Sequence, residues 1–364
     1  MRAAEVAAAR RHLEAIAGVP RPAGGPAEAH ARAYCGEVLS DAGFMLSEEP
    51  FSYSAFPGRV GTPLLGVAAA TLFATAGHLG WRGHGGVALV VLLVGAQLAG
   101  TIGWWLGRHG VLSLPWMRAT STNLTATRGT PSMWLVAHLD SKSQPVPILV
   151  RVLGVVGVLV TLMLAVTVAA LQAGDRNVTW VWPWITAIGV LSALPVAASV
   201  VGERSHGALD DASGVATVLM VAQTLPKHAA VGVILTSAEE LGLAGARAWV
   251  RARAAGRAIN VDGVDDAGDV RATWTNRRPR ELLDALVASG ARAAMTVRVG
   301  RLVPGALLDA VAFADRNWEI LTVSRGTLRT VARIHTSRDT LEGLDGRGVA
   351  LVASIIREAV TTPA

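Results

Sequence analysis

Residues 231–245 read VGVILTSAEELGLAG. Val231–Ser237 is short, apolar and rich in β-branched residues, the pattern of a buried strand. Gly242 and Gly245 punctuate the chain after it, and helical spacing takes over across Ala244–Ala255. Working outward, the alternation recurs. Residues 213–225 space their apolar side chains as a helix, Ala258–Val261 as a strand, Arg280–Ser289 as a helix and Ile320–Ser324 as a strand. Upstream, residues 3–17 and 26–43 are helical in pattern, separated by Pro20, Pro22 and Gly24-Gly25. Residues 121–127 and 133–138 read as strands around an Arg128-Gly129 turn. Strands alternating with helices imply an α/β fold, a mixed and mostly parallel sheet with helices on both faces. In such sheets functional groups gather at the carboxyl ends of strands.

The chain has 364 residues, of which 51% are hydrophobic and 16% charged, against about 25% charged in an ordinary soluble domain. The deficit sits in four stretches without Asp, Glu, Lys or Arg: between Arg59 and Arg82, Arg82 and Arg108, Arg151 and Asp175, and Arg176 and Glu203. Each exceeds the ~20 residues that cross a bilayer as a helix. They are expected to form two transmembrane hairpins, at 59–109 and 148–202, interrupting a globular domain made of 1–58, 110–147 and 203–364. Trp81, Trp104, Trp105, Trp180, Trp182 and Trp184 cluster at their edges as an aromatic belt would. Gly154 and Gly157 would allow close helix contact. The spans hold no charged residue to line a path, so they read as a bilayer anchor, and as a surface for a homodimer, rather than a transporter.

Arg59, Arg108, Arg118, Arg151 and Arg204 flank the spans on the globular side, whereas the opposite loops hold only Arg82 and Arg176. The positive-inside rule then places the globular domain in the cytoplasm, at a bacterial cell membrane. The first dozen residues do not form a signal peptide. The net charge is +6, almost all from arginine, since Lys142 and Lys227 are the only lysines. No basic block or interleaved aromatic stripe occurs, so no nucleic acid is expected. Cys35 is the single cysteine, which excludes an internal disulfide.

Five places put ligand-type residues at strand ends or beside glycines: His138-Leu139-Asp140, Asp210-Asp211-Ala212-Ser213-Gly214, Glu239-Glu240, Asn260-Val261-Asp262, and His335-Thr336 followed by Asp339-Thr340. Each alone is a common loop or helix-cap pattern. Together, two histidines and several carboxylates suit a two-metal site, and a bridging Asp can join two ions about 3.5–4 Å apart. Mixed nitrogen and oxygen ligation without thiolate favours zinc, with manganese and cobalt as alternatives.

In order, spacing and wording these blocks resemble the M28 family of zinc metallopeptidases. The resemblance covers essentially all of the non-membrane chain, including the leader Pro20-Arg21-Pro22-Ala23-Gly24. It implies that Asp210 bridges two zinc ions, with Glu240 and His335 completing one and His138 and Asp262 the other. It further implies that Glu239 is the general base, that Asp140 orients His138, and that Asp210-Asp211 is joined by a cis peptide. Two departures stand out. The hairpins interrupt the peptidase, and the late tyrosine several members use for the oxyanion has no counterpart, Tyr34 and Tyr53 being the only tyrosines. The resemblance implies a membrane-anchored exopeptidase, foremost an aminopeptidase acting on peptides. A carboxypeptidase, a glutaminyl-cyclase-like acyltransferase and an inactive scaffold are the alternatives.

Overall fold

A computed structural model describes residues 2–303 and 305–361. The chain divides into two compact units. One comprises 1–53, 118–143 and 203–364, the other 54–117 and 144–202.

The first unit is built on eight strands: β1 (Met45–Ser54), β2 (Arg118–Thr127), β3 (Met133–His138), β4 (Val231–Thr236), β5 (Arg257–Val264), β6 (Asp269–Trp274), β7 (Val297–Arg301) and β8 (Glu319–Gly326). They form one sheet in the order β1-β2-β4-β3-β5-β8-β6-β7. The central strands β4, β3, β5 and β8 are parallel, while β2 and β6 run antiparallel to their inner neighbours. The sheet is therefore mixed and parallel at its centre. Successive side chains point to opposite faces of a strand, and the cores follow that rule. Leu135, Val233, Ile259 and Leu321 enter one core, and the adjacent Val136, Ile234, Ala258 and Ile320 enter the other. Helices α1 (Ala3–Ile16), α2 (Pro26–Asp41), α8 (Ser213–Thr224), α10 (Arg280–Arg292) and α13 (Arg347–Thr361) supply the first core. Helices α9 (Ala244–Arg251) and α11 (Asp309–Ala314) supply the second, around Trp249, Phe313 and Trp318. A short helix α12 (Leu328–Arg333) follows β8.

The second unit contains α3 (Thr62–Trp81), α4 (Gly85–Trp105), a single turn α5 (Val111–Ser113), α6 (Ile148–Ala173) and α7 (Trp182–Ala197). With their flanking turns, four helices are long and apolar enough to cross a membrane: Pro57–Trp81, Gly85–Ser113, Ile148–Ala173 and Thr179–Ala197. Their packing is inverted relative to a soluble domain. Ala76, Ala88, Ala165 and Ala169 lie inside, while Leu93, Leu98, Leu153 and Leu191 face out. Small interior residues let helices approach closely. A Cβ on Gly157 would fall 2.5 Å from Ser192 Oγ, and one on Gly77 would overlap Thr186.

One belt tryptophan belongs elsewhere. Trp182 is 1% exposed, and its Nε1 donates to Gln172 Oε1 at 2.7 Å, whereas Trp180 and Trp184 are 67% exposed. Two residues along a helix is about 200° of rotation, so Trp182 faces opposite to Trp184. It locks α6 to α7 inside the bundle and is not a lipid-facing ring.

Candidate metal centre

The centre assembles where the parallel strands end. His138 is the last residue of β3, in register with Thr236 of β4. Glu239 and Glu240 follow β4, and Asp262 lies in β5. Asp210 precedes α8 and is joined to Asp211 by a cis peptide. His335 follows α12 with φ +60°.

The Glu239-Glu240 turn is tightly wound, with Leu243 N–H donating to Glu239 O at 2.7 Å and Gly245 N–H to Ser237 O at 3.0 Å. A Cβ on Gly245 would meet Ser237 O at 2.3 Å and Asn123 Oδ1 at 2.4 Å, so only glycine closes this turn. Asn123 fastens it from the side. Its Oδ1 accepts from Ser237 N–H and its Nδ2 donates to Gly245 O.

Two groups of ligand-type atoms, each within 4.8 Å of one another, form here among the described residues: His138, Glu239 and Asp262, and Asp210, Glu240 and His335. Asp210 touches both. Its Oδ1 lies 3.1 Å from His138 Nε2 and its Oδ2 2.9 Å from His335 Nε2. All five ligand positions expected from the sequence, and Glu239, therefore converge. Glu239 stands in the same group as His138 and Asp262.

Asp140 sits differently from its expected place. The nearest acceptor to His138 Nδ1 is the Asp140 carbonyl at 3.0 Å, with the carboxylate 3.6 Å away. The carboxylate holds the glutamate turn, Oδ1 accepting from Glu239 N–H at 3.0 Å and Oδ2 from Glu240 N–H at 3.2 Å. Asp140 thus fixes the His138 ring through its main chain and the two glutamates through its side chain.

Sequence reading named Asp211 and Asp339 without their roles and missed Lys142. Asp211 accepts from His138 N–H, Gly214 N–H and Gly263 N–H, tying three motif loops together. Asp339 accepts from Leu209 and Asp210 N–H at 2.7 and 3.2 Å. Lys142 places its ammonium 2.5 Å from Glu240 Oε2. Its signal was rarity, one of two lysines in an arginine-rich chain. Tyr34 is engaged elsewhere, with its hydroxyl 2.7 Å from His12 Nδ1.

The electrostatics call for cations. Asp140, Asp210, Glu239 and Glu240 are buried, and Asp262 joins them, against two imidazoles and one ammonium. With all five carboxylates ionised the cluster is negative even with both rings protonated, and such buried like charges are relieved either by a cation between them or by protons retained on some of the carboxylates. Burial raises Asp262 to about 7, with Asp210 adding to the rise. Burial likewise pushes Glu239 well above the usual carboxylate range, against the pull of His138. Burial is the largest single effect on Glu240 and Asp210 and opposes their charge, but His335 and the neighbouring cations together outweigh it in both. Lys142 assists at Glu240, held at about 2, and His138 at Asp210, held well below its ordinary value. Among the described residues, Glu240 Oε1 and His335 Nδ1 are buried without a hydrogen-bond partner. Carboxylate and imidazole donors in surplus, with an orphaned carboxylate oxygen facing them, fit metal ions.

No curated protein matches the chain. Among solved structures it is similar to the aminopeptidase from Aneurinibacillus sp. strain AM-1, with 14% identity and a TM-score of 0.58, covering 98% of this chain and 93% of that one. It is similar to BSAP, a zinc aminopeptidase from Bacillus subtilis, with 13% identity and a TM-score of 0.57, covering 98% and 94%. It is also similar to the Fimbriiglobus ruber glutaminyl cyclase, with 13% identity and a TM-score of 0.52, covering 98% and 94%. At these identities the likeness establishes the fold. The model of peptidase family M28 matches residues 187–360, the segment holding Asp210, Glu239, Glu240, Asp262 and His335. Residues 187–360 thus carry the match to peptidase family M28, and that match supports a metallopeptidase.

Proposed function

We propose that the protein is a membrane-anchored, zinc-dependent aminopeptidase that removes residues from the amino end of peptides and uses two zinc ions. The observation that carries this reading is the reach of Asp210, whose two oxygens meet the histidines of two separate ligand groups. His138, Asp262 and Asp210 would hold one ion, and Asp210, Glu240 and His335 the other. Manganese and cobalt suit the same donors. When bound, the ions supply a Lewis acid for the scissile carbonyl and acidify the attacking water.

The chain's own residues do the rest. Glu239 accepts a proton from the attacking water and hands it to the leaving amine. Its position supports this role, since its carboxylate stands beside His138 and Asp262 and burial raises its proton affinity. The Asp140 carboxylate pins the amides of both glutamates. Its carbonyl accepts a hydrogen bond from His138 Nδ1–H, which would leave the Nε2 lone pair for an ion shared with Asp210.

The four apolar helices would anchor the enzyme in a bacterial cell membrane. The arginines at the span ends joined to peptidase segments outnumber those in the opposite loops, which supports a cytoplasmic peptidase. A reporter fused at the carboxyl end tests the side, and reporter activity in the periplasm would reverse it.

The activity test uses the purified full chain in detergent with aminoacyl nitroanilides and dipeptides. We expect release of the amino-terminal residue, its loss with chelator and two zinc ions per chain. Glu239→Gln is expected to retain metal and lose about 10²–10⁴-fold in turnover. Unchanged turnover in that variant removes Glu239 from its role. Release from the carboxyl end marks a carboxypeptidase, cyclisation of amino-terminal glutamine marks an acyltransferase, and a folded chain binding no metal marks a scaffold.

A further inference from the structure

We infer that Lys142 is a positioning residue that divides the two oxygens of Glu240, engaging Oε2 so that only Oε1 is offered to the metal position shared with Asp210 and His335. The inference rests on the metal-centre reading and adds to it how one ligand is presented.

The division is visible in the geometry. Lys142 Nζ lies 2.5 Å from Glu240 Oε2, while Glu240 Oε1 lies 3.1 Å from His335 Nε2 and has no hydrogen-bond partner of its own. Lys142 is held in place from both sides. Ser141 N–H donates to Arg21 O and Ser141 Oγ–H to Ser205 O, while Ser143 Oγ accepts from Arg204 N–H at 2.9 Å. The main chain on either side of Lys142 is thereby fixed, and its stem enters the centre.

The residue type matters as much as the position. Lys142 and Lys227 are the only lysines among 33 basic residues. An arginine presents a planar fork that engages both oxygens of a carboxylate at once. Here that fork would close Oε1 to an ion. A lysine ammonium is a compact point charge that takes one oxygen and leaves the other. The same ammonium places a positive charge close to the ion, which weakens binding there and keeps Glu240 a single-oxygen ligand.

Two substitutions therefore have opposite expected signs. The metal-free protein is titrated with cobalt(II), followed by visible absorption, and His335→Ala marks which of the two binding steps belongs to this position. Lys142→Met removes the repulsion and frees Oε2. It is expected to tighten that step by about tenfold or more, the scale on which one close charge shifts an ionic equilibrium, and to change the cobalt spectrum as Glu240 becomes two-oxygen. Lys142→Arg is expected to weaken the same step by about tenfold or more through the bidentate fork. The other step, at His138 and Asp262, is expected to stay unchanged in both variants. If Lys142→Met loses its cooperative melt, Lys142→Gln replaces it with the same expected sign. Weakening by both substitutions, or constants and spectra identical to the parent, overturns the inference while leaving the metal centre intact. A parent protein that takes up no cobalt overturns both.

Discussion

Arg21 offers a demanding test of how the centre is held. It is fully buried, and its guanidinium donates only to main-chain carbonyls: Nε to Leu139 O at 2.7 Å, Nη1 to Ile16 O at 3.1 Å and His206 O at 2.6 Å, and Nη2 to Gly207 O at 3.1 Å. Leu139 lies between His138 and Asp140, and Gly207 opens the turn that carries Asp210. One side chain from the leader thus fastens two ligand loops. Arg21→Met keeps the stem and removes every donor. Hydrogen bonds to a charged group contribute about 1.5–3 kcal/mol each. Taking the lower figure for four bonds, with some relaxation, gives a loss of about 4–6 kcal/mol. For a unit of this size 1 kcal/mol shifts the midpoint by about 2–4 °C, so thermal melts should fall by about 10 °C or more. Lys at this position keeps a charge and fewer, unforked donors, and should recover only part of the loss. The assay is the melt of the purified, metal-loaded chain in detergent, with metal affinity measured alongside. A midpoint for Arg21→Met within about 2 °C of the parent would refute the clamp.

Asp140→Asn keeps one acceptor and turns an amide N–H₂ toward a glutamate N–H, so it should cost about 1–3 kcal/mol and weaken zinc binding. Equal affinity by calorimetric titration would contradict that role. Glu28 tests the pH behaviour of the fold, because burial first and Asp140 second raise its carboxyl to about 7 from an ordinary 4.5. The folded state then holds the extra proton between these values, so this contribution is full below about pH 4.5 and lost as pH rises through 7, amounting to about 3 kcal/mol. Melts of Glu28→Gln and parent should converge near pH 5 and separate by pH 8 with the variant more stable, and parallel curves would count against the assignment. In the helical unit, Gly77→Leu should destabilise by forcing α3 from α7 at Thr186, whereas Gly100→Leu, with nothing within 4 Å, should be neutral. Similar detergent melts for the two would contradict the close-packing reading.

The centre was legible because its ligands sit in short local patterns at the ends of β3, β4 and β5, where chain order already places them beside one another in a parallel sheet. What the sequence withheld depends on long-range contact. Nothing local shows that Asp339 reaches the amide of Asp210, or that Lys142 meets Glu240. Among elements, β1, β6 and β7 were missed, and β1 and β7 are the two edges of the sheet. β1 carries Pro50 and two glutamates and is largely exposed, and β7 is VRVGR, with both arginines exposed. Edge strands lack the apolar run that marks a buried one. Helix α13 escaped because its run LVASII fits a buried strand or a helix equally well until its packing partners are known. Trp182 was assigned to the belt by proximity alone, although its spacing from Trp184 already pointed it to the opposite face.

The strand order also sets a schedule for synthesis. β3, which delivers His138, lies between β4 and β5, and both of those come after the second pair of apolar helices in the chain. The ribosome therefore makes His138 long before its neighbours in the sheet exist, and the Met133–His138 segment must wait while some ninety residues emerge, including the whole of α6 and α7. The ends of the first insertion meet early, Ala55 N–H donating to Met117 O at 3.0 Å, so that loop can close on its own. The enzyme's sheet is thus completed only after every apolar helix has left the ribosome, and the metal centre is among the last parts of the molecule able to form.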